Sequence, residues 1–203
     1  MHAGPIAISP TAAVFARQRY AVVPGMISPQ EARELGSYLE ASHSEGRMSM
    51  NDTFVVGTPS TYGDLRMERL LGQLGPKMEF FTGLPLYPTY SFARVYKRGD
   101  VLQPHRDRPA CEISMSLNLA QTPDEPWPLY LRDHDNNVFG ARLGPGDALI
   151  YRGIELAHWR EAYQGEKMAQ VFLHYVDRNG PHADQKFDGR AGLGLPGVHG
   201  VPA

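Results

Sequence analysis

The apolar pattern of this chain changes period once, near Pro88, and that change restricts the architectures open to it. Before Pro88 the pattern is mostly helical. Ser28-Pro29-Gln30-Glu31 places a hydroxyl at the N-cap, proline at the first helical position and glutamate at the third. Ala32, Leu35 and Leu39 follow on one face, which predicts a helix ending near Ser42. A second helix is expected over about 61–81, from Leu65, Leu70, Leu71, Leu74, Met78 and Phe81, with Gly72 and Gly75 weakening its middle. Beyond Pro88 the pattern is extended. Strands are expected over 90–96, 101–105, 112–119, 129–131, 138–143, 148–151 and 168–176, joined by proline, glycine and charged turns. Residues 112–119 alternate most clearly, with Ile113, Met115, Leu117 and Leu119 on one face and Glu112, Ser114, Ser116 and Asn118 on the other. That polar face reads either as a pocket lining or as the wet side of a half-buried strand. A leading strand over 19–24 brings the total to about eight, and helices followed by short strands fit an α+β protein with an antiparallel sandwich or small barrel.

Residues 1–17 show no period and are expected to form an N-terminal arm; 18–177 form the domain; 178–203 read as an irregular, glycine-rich C-terminal arm. Residues 46–59 are polar and aperiodic, a loop or flap with at most a short strand at 54–56. A length of 203 residues suits one domain. Twenty basic against 22 acidic residues leave a net charge of -2, which gives no support to a nucleic-acid partner. The single cysteine, Cys111, excludes a disulfide within the chain and a thiolate zinc cage, and it fits a reducing, cytoplasmic setting. No run approaches the roughly 18 apolar residues of a membrane span, so no membrane partner is expected.

His105 and Asp107 stand two apart, so on an extended backbone an imidazole and a carboxylate face the same way. His158, after the turn and strand Gly146 to Tyr151, is the best third ligand. Two histidines and one carboxylate with open positions are the donor set of non-haem Fe(II) oxygenases. On spacing alone a bland reading stands level with this one: a surface histidine, and an aspartate in a turn with Arg108. His182 and Asp184 repeat the spacing, but in a polar segment beyond the last strand. His174, in an apolar strand, reads as a core histidine.

The segment 92–107, FARVYKRGDVLQPHRD, resembles the signature of the 2-oxoglutarate- and Fe(II)-dependent dioxygenases in their prolyl 4-hydroxylase-like branch. YAVVPG at 20–25 with the Ser28 helix, and Gly146-Asp147 ahead of His158, are similar to the same family. The resemblance spans roughly 18–177. It implies a double-stranded β-helix, or jelly roll, supported by N-terminal helices. It also implies Fe(II) held by His105, Asp107 and His158, with 2-oxoglutarate and O2 as co-substrates and hydroxylation of a C–H bond as the outcome. Asp107 stands where halogenating relatives carry glycine or alanine, which argues against halogenation. By the same resemblance Lys167 grips the far carboxylate of 2-oxoglutarate, with Arg160 and Arg152 in reserve, and Tyr96 hydrogen-bonds it. Arg94, Arg106, Arg108, Arg152 and Arg160 near the metal motifs suggest a small carboxylate-bearing substrate, such as a free amino acid. A peptidyl, prolyl-type substrate is the main alternative. A cupin-like oxygenase independent of 2-oxoglutarate and a non-catalytic sandwich module are the remaining ones.

Overall fold

The computed structural model describes residues 9–195. Three helices, α1 (Pro10–Gln18), α2 (Pro29–Ser44) and α3 (Leu65–Thr82), lie among ten strands. The strands are β1 (Tyr20–Val23), β2 (Ser60–Tyr62), β3 (Leu86–Lys97), β4 (Leu102–His105), β5 (Ile113–Thr122), β6 (Leu129–Arg132), β7 (Val138–Ala141), β8 (Ala148–Tyr151), β9 (Ala157–Arg160) and β10 (Lys167–Asp177). They form a six-stranded sheet in the order β1-β8-β5-β10-β3-β2 and a four-stranded sheet in the order β4-β9-β6-β7. Every pairing is antiparallel. No helix among the described residues is long and apolar enough to cross a membrane.

The helices cover the outer face of the larger sheet. Val95, Leu117, Leu119, Ala169, Val171 and Leu173 pack there with Leu35 and Leu39 of α2 and Leu70, Leu71 and Leu74 of α3. The alternate residues point between the sheets. At one end Tyr96, Met168 and Phe172 meet Leu102, Trp127 and Tyr163; at the other Leu149 and Tyr151 meet Leu129, Leu131 and Leu143.

Helix α2 starts as expected, with the Ser28 hydroxyl accepting from the Glu31 amide at 3.1 Å. Helix α3 starts later than the periodicity suggests. Gly63 takes a left-handed φ of +65°, and the Asp64 carboxylate caps the amides of Arg66 and Met67. Ser60 to Tyr62 pair with β3 instead. One further expectation is corrected. Residues 10–18 are a helix, not part of an arm: Ser9 caps it, and Ala12 and Phe15 are its buried face, too few residues to display a period. The start of the irregular C-terminal arm is docked on the domain. A 3-10 segment, Ala183–Gly189, leads to Arg190, whose buried guanidinium donates to Glu68 on α3 at 3.0 Å and to the Thr89 carbonyl at 2.8 Å. Charge pairing holds this segment, so apolar periodicity could not reveal it. The ends of both expected arms, 1–8 and 196–203, lie outside the described residues.

Candidate metal centre

Strands β4 and β9 bring two histidines together. His105 pairs directly opposite His158, and their ring centroids are 4.2 Å apart. The sequence pattern puts His158 between strands, because the four residues of β9 are too short a run to stand out. In each histidine Nδ1 lies on a backbone carbonyl two residues back, Gln103 O at 2.8 Å and Leu156 O at 3.1 Å. A carbonyl only accepts, so Nδ1 carries the proton and Nε2 keeps its lone pair. Both Nε2 atoms aim at Asp107 Oδ1, from 3.6 Å for His105 and 3.5 Å for His158.

Asp107 is fixed from three sides. Its amide donates to Gly153 O at 2.9 Å, and its Oδ2 lies 3.2 Å from the Ser114 hydroxyl. Gly153, in the turn between β8 and β9, presses against it: a Cβ there would lie 2.2 Å from Oδ2 and 2.6 Å from the Cys111 carbonyl. Ser114 Oγ also meets His174 Nδ1 at 2.9 Å. With the Nδ1 proton on His174, the hydroxyl proton is shared between Asp107 and the Cys111 carbonyl at 3.1 Å, so His174 and Ser114 together place a donor beside the carboxylate. Burial raises the Asp107 pKa, but His158 and His105 outweigh it and hold the group well below the usual carboxylate range. Burial likewise disfavours charge on His158, yet Asp107 raises its pKa on balance. The corner is an anionic carboxylate in want of a positive partner.

Asp107 also clusters with Cys111 and His174. Burial pushes the Cys111 thiol up, and its sulfur lies 2.9 Å from the Tyr90 hydroxyl. Burial pushes His174 down to about 4. A protonated thiol and a histidine already bonded to Ser114 make a poorer donor set than His105, Asp107 and His158.

Buried polar side chains continue from this corner between the sheets. Arg160 follows His158 by two and shares its face. It is buried, donates to the Trp127 carbonyl and to Gln170 Oε1, and lies over the Trp127 ring. Arg94 of β3 is buried too, paired with Asp52 and 3.4 Å from the Tyr96 hydroxyl. Arg94, Gln170 and Asn118 sit side by side on β3, β10 and β5. Arg160 Nε, Gln170 Nε2 and Asn118 Oδ1 are buried without a partner among the described residues. Arg160 has no carboxylate partner among them either, and burial lowers its pKa to about 10. An orphaned buried polar atom costs about 1–3 kcal/mol, more when charged, so such a cluster calls for a ligand.

The other expected anchors lie elsewhere. Lys167 is in phase with Ala169, Val171 and Leu173, which face the helices, and its Nζ meets Glu40 of α2 at 3.0 Å. The structure therefore does not bring Lys167 to the triad: it places it on β10 with its side chain toward the helices. Arg152 is paired with Glu155 and Glu112. Arg108 forks onto Asp188 with two 2.7 Å bonds, and Arg106 donates to the Glu155 carbonyl. His182 and Asp184 stay in the C-terminal segment and join no metal-competent cluster among the described residues. Ser114, Ser116 and Asn118 are fully buried, so the polar face of β5 lines the interior and is not wet. The sequence pattern points to Arg94 only as one of several arginines near the metal motifs, and it does not point to Asp52, Gln170 or Gly153 at all. Its one available signal was a polar residue inside an apolar strand, Arg94 in FARVY and Gln170 in MAQVF.

No family model matches the chain, and no curated protein matches it. Solved structures do. A prolyl-4-hydroxylase from Pseudomonas putida is 16% identical with a TM-score of 0.68, covering 83% of this chain and 100% of its own. The non-heme alpha ketoglutarate dependent epimerase SnoN from nogalamycin biosynthesis is 14% identical with a TM-score of 0.71, covering 95% and 92%. EctD from S. alaskensis with bound Fe is 18% identical with a TM-score of 0.68, covering 95% and 89%. The prolyl hydroxylase is no nearer than the other two, so the likeness does not single out that branch. What the chain shares with these enzymes is their fold, helices on antiparallel facing sheets.

Proposed function

We propose that this protein is an Fe(II)- and 2-oxoglutarate-dependent dioxygenase that hydroxylates a C–H bond of a small organic molecule, its two sheets forming the halves of a double-stranded β-helix. One observation carries the reading: two histidines and an aspartate converge beside a buried arginine that lacks an acid partner. The donor set fits Fe(II), since both Nε2 lone pairs and one carboxylate oxygen already point to a common place. The buried polar cluster fits a dicarboxylate, since Arg160 and the orphaned amide of Gln170 offer donors in a site shielded from water. Bound Fe(II) and 2-oxoglutarate would supply the oxidant, with O2 consumed and succinate and carbon dioxide released.

The chain's own residues bind and orient. His105, Asp107 and His158 hold the metal, Ser114 and His174 place a donor beside the carboxylate, and Gly153 leaves it room. Arg160 holds the far carboxylate of the co-substrate, in place of Lys167, and Tyr96 donates to it from the position set by Arg94. Water is kept from this end by Trp127, Tyr163 and Met168. Of the arginines that suggested a carboxylate on the substrate, Arg94, Arg108 and Arg152 are paired with Asp52, Asp188, Glu112 and Glu155, Arg106 donates to a backbone carbonyl, and Arg160 is taken by the co-substrate, so that part of the expectation loses its support. The test is anaerobic Fe(II) titration followed by succinate release with 2-oxoglutarate and O2. One equivalent of iron and 2-oxoglutarate-dependent succinate support the reading. Iron binding with oxygen consumption but no succinate would move it to a cupin-like oxygenase, and no iron binding would end it.

A further inference from the structure

The loop between α2 and β2 is built to hold one exposed aromatic ring at the metal corner. Its base is closed by the Ser49–Ser60 bridge, with amide-to-carbonyl distances of 2.8 and 2.9 Å. Two inward residues pin its middle. Asp52 accepts from the amides of Phe54 and Val55 and is paired with buried Arg94, while Val55 is buried in the apolar cluster of Tyr96 and Trp127. Its far end is tied by Thr58 Oγ1 to Asp100 at 2.7 Å and by Lys97 Nζ to the Gly57 carbonyl at 2.9 Å. A loop tied at so many points has few conformations left, so its outward residues are placed and not free.

Three of those outward residues are apolar, beside the exposed polar residues Ser49, Asn51 and Thr53. Phe54 is 48% exposed, Met50 49% and Val56 83%. The Phe54 ring stands 4.9 Å from the His105 ring. Among the three metal-corner residues His105 has the most exposed side chain, at 18% against 13% for Asp107 and 4% for His158. Phe54 therefore stands on the side from which a molecule reaches the corner. Half of the phenyl ring is covered, by His105 among others, and the other half faces the approach to the corner, where a ligand would cover it.

Resting on the function proposed above, we propose that Phe54 is a specificity-determining residue, and that the substrate presents a flat apolar group to it beside the carbon that is oxidised. The Asp52–Arg94 pair positions the ring by tying the loop to β3. The substrate class is thus a small molecule carrying an aromatic or broad alkyl group.

The test uses probe pairs that differ by a phenyl group: acetate and phenylacetate, acetamide and phenylacetamide, ethylamine and phenethylamine. Each is titrated calorimetrically into the full chain under anaerobic conditions with Fe(II) and 2-oxoglutarate. The phenyl partner of at least one pair should bind about tenfold tighter. Phe54→Ala should reduce that preference to about twofold or less, Phe54→Leu should keep part of it, and Phe80→Ala, an exposed ring on α3, should keep all of it. Wild-type protein with no phenyl preference, or Phe54→Ala that retains it, overturns the inference. A Phe54-dependent preference in protein that releases no succinate would leave the docking residue standing and the oxygenase reading fallen. Succinate release without a phenyl preference would do the reverse.

Discussion

The chain contains the same short pattern twice, His105-Arg106-Asp107 and His182-Ala183-Asp184, and folds only one of them into a donor cluster. The first ends β4, where strand pairing sets His105 against His158 and the β8–β9 turn clamps Asp107. The second opens a 3-10 segment whose aspartate reaches no further than its neighbour Gln185. Spacing supplies two side chains on one face; a metal site needs a third group from a distant part of the chain. What separates the two motifs is the partner strand. Replacing Asp107 or His158 with alanine should therefore abolish stoichiometric Fe(II) binding, while His182→Ala keeps it. Equal iron content in all three variants, measured after anaerobic loading and desalting, would break the contrast.

A second contrast is between two cations. Lys167 is half-exposed on the helix side of β10, while Arg160 is buried between the sheets on β9. Arg160→Gln should weaken 2-oxoglutarate binding by about a hundredfold to a thousandfold, the range for leaving a buried charge unpaired. Lys167→Ala should leave it unchanged, since an exposed pair such as Lys167–Glu40 contributes little. Co-substrate titration of the Fe(II)-loaded variants reads both, and the opposite ranking would return the role to Lys167.

These contrasts also show what the sequence could disclose. The change of period at Pro88 was legible, as were the Ser28 cap, the long strands and the residues of the metal corner, because each is a local pattern. The face taken by Lys167 was not, because parity on β10 depends on which side the helices cover. The docking of Arg190 onto Glu68 joins residues far apart in sequence, and no local pattern announces it. Gly153 is the sharpest case. It reads as an ordinary turn glycine, yet its missing side chain is what admits Asp107. Gly153→Ala should lower Fe(II) affinity by about ten- to a hundredfold, the range for disturbing the groups that orient a metal ligand. Unchanged affinity in a folded variant would mean that the turn can shift without carrying Asp107 with it.

The smallest effect separates two buried histidines, His158, which the sequence offers as a metal ligand, and His174, which it offers as a core residue. Asp107 raises the pKa of His158, whereas burial lowers that of His174 to about 4. For His174, between about pH 6.5 and 4, the unfolded chain binds a proton that the folded chain refuses. Stability from this group is therefore complete above the unfolded value and falls as pH drops through that window. From pH 6.5 to 5 the loss is about 2 kcal/mol, at roughly 1.4 kcal/mol per pH unit. His158 acts with the opposite sign, gaining stability as it is protonated beside Asp107, so the wild-type curve alone mixes the two. Asp107, Arg108, Asp188 and His158 act on His174 as well, but they remain in a His174→Gln variant, so the difference between the two proteins isolates the His174 proton. Urea unfolding of apo protein at pH 6.5 and 5 should show wild type losing about 2 kcal/mol more than His174→Gln. Equal losses would mean that His174 accepts its proton in the folded state, and that burial does not hold it neutral.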